Sequence, residues 1–189
     1  MDNRSNILQV ATELFASHGY DAVGVQQIAS DAGVTKPTLY HYFNSKQGLF
    51  ETLIKEKSEP LISDLREVSR YQGDITKSIT DVTQFYFEYL DREPTFYRLI
   101  LMTRFMPPSS DVYDIVTQVQ HQQFDLLQQL FKDATEDHGN MRGRHRWYAV
   151  SLLGTIDTYI VMSLQGYIHL NEPHRVYRIV HQFMHGIFS

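Results

Sequence analysis

Apolar residues recur at three- and four-residue spacing along most of this chain, and that period predicts helices throughout. Arg4 to His18 forms the first, with Ile7, Val10, Ala11, Leu14 and Phe15 on one stripe and Gly19 closing it. Val25, Ile28, Ala29 and Ala32 predict a short second helix ended by Gly33, because glycine takes the left-handed cap conformation without steric cost. Thr35 suits the N-cap of a third helix, and Pro37 falls in its first turn, where a missing N–H has no partner to lose. Leu39 and Phe43 point inward, which leaves Thr38, Tyr40, His41 and Tyr42 to project outward or sideways. Ser45 caps a fourth helix from Lys46 to about Tyr71, whose Leu49, Phe50, Leu53 and Ile54 pack back on the first three. Pro60 is expected to kink or break that helix.

The break at residues 71–74 is the first clear interruption, after which the chain turns strongly helical again. Helices are predicted over Ile75 to Asp91, from Glu93–Pro94 to Phe105, and from Asp111 to about Thr135. Another is predicted from Trp147 to Leu170, apolar nearly all round and therefore expected to be buried on most sides. Pro173 opens the last, with Val176, Ile179, Val180, Phe183, Met184 and Ile187 at helical spacing. The polar run 137–146 reads as a connection. Two domains are expected, 1–57 and 58–189, joined inside the fourth helix near Lys57.

Composition narrows the classes. The 189 residues contain no cysteine, which excludes disulfides and thiolate chemistry and fits a reducing cytoplasm. The N-terminal residues show no signal-peptide pattern, and no stretch reads as a span of about 20 apolar residues, so a soluble cytoplasmic protein without a membrane partner is expected. The net charge of −5 argues mildly against non-specific nucleic-acid binding. Position matters more than the sum. From Val34 to Gln47 the chain has Lys36, His41 and Lys46 and no acidic residue.

A helix, a glycine turn and a short helix with outward polar and aromatic residues is the layout of a helix-turn-helix. The stretch Ala29 to Phe50, with Ala32–Gly33–Val34, Leu39–Tyr40, Phe43, Lys46 and Leu49–Phe50, resembles the tetracycline-repressor-like (TetR) family of bacterial transcriptional regulators over about residues 4 to 57. The resemblance implies an all-α protein: an N-terminal three-helix DNA-binding domain and a C-terminal helical domain for ligand binding and dimerisation. It implies phosphate contacts from Thr35, Lys36, Tyr40 and Lys46, base contacts from Thr38 and His41, either from Tyr42, and backbone or base contact from Gln27. The plain alternative is that Tyr40 and Tyr42 only pack the small domain. Gly24 stands where family members usually carry a hydroxyl residue, so that phosphate contact is not expected here.

The body is rich in aromatics, and apolar pockets with a few polar groups are the rule for small ligands. The residues read as candidates are Phe85, Tyr89, Phe105, Gln120, Phe124, Trp147, Ser151, Thr155, Asp157 and Thr158, against the alternative of plain core packing. Asp157 is the sharpest, because a carboxylate in an apolar helix is costly unless paired; it would meet a ligand or bond across a dimer seam. His181 and His185 stand at i, i+4, with His174 one heptad before His181. They read as surface or dimer-rim histidines, since no clustered acid or thiolate accompanies them, and no metal and no cofactor is expected. No catalytic motif appears, so no enzyme is expected.

The combined reading is a ligand-responsive regulator of transcription, most simply a repressor. It would bind a palindromic operator in double-stranded DNA as a homodimer through its last two helices, and a small hydrophobic or aromatic effector would release it. The rivals are a DNA-binding regulator controlled by a protein partner and a helical ligand carrier that does not bind DNA.

Overall fold

The computed structural model describes residues 2–170 and 172–186, so Ile187 of the last apolar stripe lies outside the described residues. Among these, nine α-helices and no strand are present: α1 Asn3–His18, α2 Val25–Asp31, α3 Lys36–Phe43, α4 Lys46–Val68, α5 Ile75–Arg92, α6 Pro94–Thr103, α7 Tyr113–Asp133, α8 His145–Leu164 and α9 Arg175–His185. A short 3-10 turn, Gly139–Met141, precedes α8. The all-α expectation holds.

The chain forms two compact units. The first comprises residues 1–60 and 93–120, and the second residues 61–92 and 121–189. In the first, α1 packs on α2, α3 and α6. Its centre is an aromatic cluster: the Phe15 and Phe50 rings lie 5.4 Å apart at 74°, and Tyr20 meets Phe50 at 4.9 Å. Edge-on packing of this kind adds to the area these rings bury. Ile7, Ala11, Ile28, Leu39 and Phe43 are buried around it. In the second unit α5 packs on α8 and α9. Tyr86, fully buried, donates a hydrogen bond to the buried Gln123 Oε1 at 3.1 Å.

Four expectations are corrected. Helix α4 runs unbroken through Pro60. Pro60 and Glu56 are both exposed, so the carbonyl that loses its helical donor lies on the solvated side of the helix. Helix α8 ends at Leu164 and is not buried on most sides: Trp147 (67%), Val150 (50%), Ser151, Gly154 and Thr158 form an exposed line along it. By length and composition alone α8 is long and apolar enough to cross a membrane, against the expectation that no stretch reads as such a span; a third of that stretch is buried within the chain. The last helix opens at Arg175, two residues beyond Pro173.

Candidate nucleic-acid interface

The candidate surface is built from the turn outward. Gly33, at φ 66°, makes the left-handed turn between α2 and α3, and Val34 N donates back to Ala29 O at 2.9 Å. Thr35 caps α3, its Oγ1 accepting from Thr38 N at 3.3 Å. Leu39 and Phe43 are buried at 0% and 3% exposure, which fixes the roll of α3. Tyr40 (42%) and Tyr42 (41%) therefore face outward, together with the exposed Lys36 and His41. The His41 and Tyr42 rings meet edge to face at 5.5 Å. Gln27 and Thr35 are exposed as well. Thr38 is half-buried, and its hydroxyl shares a hydrogen bond with Thr35 Oγ1 at 2.8 Å.

Lys46 is placed differently from Lys36. Its ammonium lies 4.2 Å from the centroid of the Tyr20 ring and 3.5 Å from the Asp21 carbonyl oxygen. Partial burial holds its pKa below the ordinary lysine value, with Asp21 pulling the other way. Burial likewise raises the Tyr20 phenol. At the start of α2, Gly24 makes no side-chain cap.

Sequence reasoning missed three positioning residues. Gly48 lies in the first turn of α4, where a Cβ would run into the Phe43 carbonyl oxygen at the end of α3, far inside van der Waals contact. Ser45 Oγ accepts from Gly48 N at 2.9 Å, so the cap and the glycine together set the α3–α4 corner. Arg4 places its guanidinium 5.8 Å from the Phe43 ring centroid and pairs with Glu56 on α4. Hydrogen bonding to Glu56 raises its pKa further. Asp2 caps α1 by accepting from Ser5 N at 2.7 Å, which lowers its own pKa. Only Asp2 carried a sequence signal, an acidic residue just ahead of the first periodic stripe; Gly48 and Arg4 act through contacts with Phe43 that no spacing rule shows.

The candidate ligand residues fall in both units. In the second, Phe85 (8%) and Tyr89 (4%) are buried with rings 6.0 Å apart, and Asp157 is buried at 6% on α8. Phe124 and Thr155 are half-buried, while Trp147, Ser151 and Thr158 are on the exposed line of α8. In the first unit Gln120 is half-buried with its Nε2 enclosed, and Phe105 is 92% exposed. A groove of about 160 Å³ in the second unit has a different character from an aromatic pocket. It is lined by charged side chains that neutralise one another, Glu67 with Arg70 at 2.8 Å and Lys77 with Asp81.

A buried hydrophobic pair that turns polar, aromatic and basic side chains outward from the second helix of such a turn defines a helix-turn-helix protein. Residues 7–53 match the model of the bacterial regulatory proteins, tetR family. The transcriptional activator FasR of Mycolicibacterium smegmatis is 32% identical over 99 residues, 52% of this chain and 45% of that protein. The chain thus spans about half the length of that curated relative. Among solved structures, a Clostridium perfringens protein assigned to fatty acid metabolism regulation aligns over 97% of this chain and 99% of its own at TM-score 0.84 and 21% identity. The regulator FadR of Bacillus subtilis, in complex with stearoyl-CoA, aligns over 97% and 98% at TM-score 0.76 and 20% identity. Residues 7–53 thus carry the helix-turn-helix segment of the bacterial regulatory proteins, tetR family, and the likeness of the remaining chain to these structures is one of fold.

Proposed function

We propose that this chain regulates transcription by binding an inverted repeat in double-stranded DNA as a homodimer, and that an acyl-type small molecule held by its body releases it. The observation that carries the DNA-binding part is the outward face of α3, where Lys36, Tyr40, His41 and Tyr42 are exposed and no acidic residue intervenes. Phosphate contacts fix register and base contacts specify sequence. Lys36, Tyr40 and Thr35 serve the first role, with Lys46 after it leaves Tyr20; His41 and Thr38 serve the second, and Tyr42 and Gln27 border both.

The dimer reading is supported by the exposed line of α8, where Ser151 and Gly154 allow close approach between Trp147 and Thr158. The exposed face of α9 carries Tyr177 at 66%. The effector class is supported by the fold's likeness to two proteins tied by name to fatty acid metabolism or stearoyl-CoA, and by the aromatic side chains Phe85, Tyr89 and Phe124. Repression is the simplest direction, since an occupied operator blocks polymerase. An effector shifts DNA affinity only through its differential affinity for two states of the protein.

The test is selection of random duplex DNA by the purified chain at moderate salt, repeated with a panel of fatty acyl-CoA thioesters of increasing length. Recovery of an inverted repeat, lost on addition of one chain-length class, is the expected result. A recovered repeat that no thioester releases would remove the effector and leave the DNA reading; recovery of no sequence would remove both.

A further inference from the structure

On α9 three side chains stand in one line at i, i+4 and i+8: Tyr177, His181 and His185. The His181 and His185 ring centroids are 4.6 Å apart, and Tyr177 lies 5.6 Å from His181. All three are exposed. Among the described residues, neither imidazole has a hydrogen-bond or ion-pair partner. Arg178 on this helix pairs with Glu172, Nη1 to Oε2 at 3.7 Å.

Two imidazoles one helical turn apart offer two nitrogen donors to a single ion, and imidazole favours zinc, copper and nickel over magnesium or calcium. Zinc at a closed protein site takes four ligands in a tetrahedron at about 2.0–2.1 Å from each nitrogen. The chain cannot supply them alone: among the described residues no group of three or more histidine, cysteine or acidic side chains comes together. The pair is therefore half a site. An isologous interface sets the same patch on both copies, so a residue close to the two-fold axis meets its own counterpart. With the pair close to such an axis, two copies would supply the four imidazoles that a tetrahedral set needs.

We propose that His181 and His185 form half of a divalent transition-metal site, completed by the partner subunit's His181 and the partner subunit's His185. This rests on the dimer through the last two helices. A metal that binds only the assembled dimer stabilises it by mass action. The site would tighten the dimer.

The experiment uses the full chain without a polyhistidine tag, stripped of metal by chelator. Cobalt(II) is added first, because its visible absorption separates tetrahedral from six-coordinate binding, and zinc is then used in competition with a chromophoric chelator. The expected result is a tetrahedral cobalt spectrum, one ion per two chains, and a dimer dissociation constant lowered about tenfold at zinc tenfold above its own constant. His181→Ala and His185→Ala each abolish this, His174→Ala does not, and all three variants keep the helical circular dichroism of the parent. One ion per chain, or binding that survives both variants, overturns the proposal. A metal-free dimer that takes up no ion overturns it while leaving the dimer reading intact; a chain monomeric with and without metal overturns both.

Discussion

The outward faces of α3 and α8 are both exposed, yet they are made differently. The α3 face carries Lys36, Tyr40, His41 and Tyr42, side chains that reach and donate. The α8 face carries Ser151, Gly154 and Thr158, which offer little but proximity, with Trp147 at one end. A groove of DNA rewards long polar side chains, while a second helix rewards short ones that let backbones approach. The contrast teaches that exposure alone does not define a site; the size and chemistry of what is exposed indicate the partner.

The strongest way to break the comparison is Gly154→Arg. A Cβ at Gly154 meets nothing within 4 Å in the chain itself, so the substitution fits the isolated fold. If a second helix covers this face, the variant becomes monomeric by sedimentation and loses operator affinity by about 100-fold or more, because the second half-site no longer acts at high effective concentration. An unchanged dimer would show that α8 faces water, and the small residues would then need another explanation.

Next in size is Gly48→Ala. The new methyl collides with the Phe43 carbonyl, and relief requires opening the α3–α4 corner. Overpacking of this kind costs about 1–3 kcal/mol. Thermal unfolding is expected to show the loss, with dimerisation retained and specific DNA binding weakened. A Tm equal to the parent's would mean that the corner yields freely and does not fix the pitch of α3.

These two glycines also mark how far the sequence could be read. The helix-turn-helix was legible because its signals are local: Gly33 turns, Thr35 caps, and Leu39 with Phe43 sets the inward side. The buried or exposed state of α3 side chains follows from that spacing. Gly48 was not legible, since its constraint is a carbonyl five residues back and depends on the corner's angle. The body was legible as helices and not as packing. Trp147 looked like core because its helix is apolar all round, and only the way α5 takes up one side of α8 shows that the other side is left open. Pro60 looked like a break because its ring removes one hydrogen bond, but a helix anchored by Leu53, Leu61 and Leu65 tolerates that on its wet side.

A smaller effect sharpens the α3 side. Lys36→Ala is expected to weaken binding to every duplex and to reduce the salt dependence by the equivalent of about one phosphate contact. His41→Ala is expected to leave the salt slope unchanged and to relax the preferred half-site, costing about 1–3 kcal/mol of discrimination. Affinity titrations at several salt concentrations, on selected and scrambled duplexes, separate the two. Matching losses on all sequences from both variants would remove the division between phosphate and base contact.

The smallest expected effect lies in the body. Tyr71 donates its hydroxyl to Asp137 Oδ2 at 2.8 Å, tying the connection after α4 to the connection ahead of α8. Partial burial, then that hydrogen bond and the Asp137 charge, push the phenol from its ordinary 10.0 up to about 12. Because the folded value lies above the unfolded one, the contribution is fully present below pH 10 and fades as the pH rises towards 12. Tyr71→Phe should therefore unfold with a shallower alkaline decline than the parent and differ little at neutral pH. Denaturant midpoints taken from pH 7 to pH 11 check this. Parallel declines would mean that Asp137 turns to solvent and that the tie contributes nothing to holding the body together.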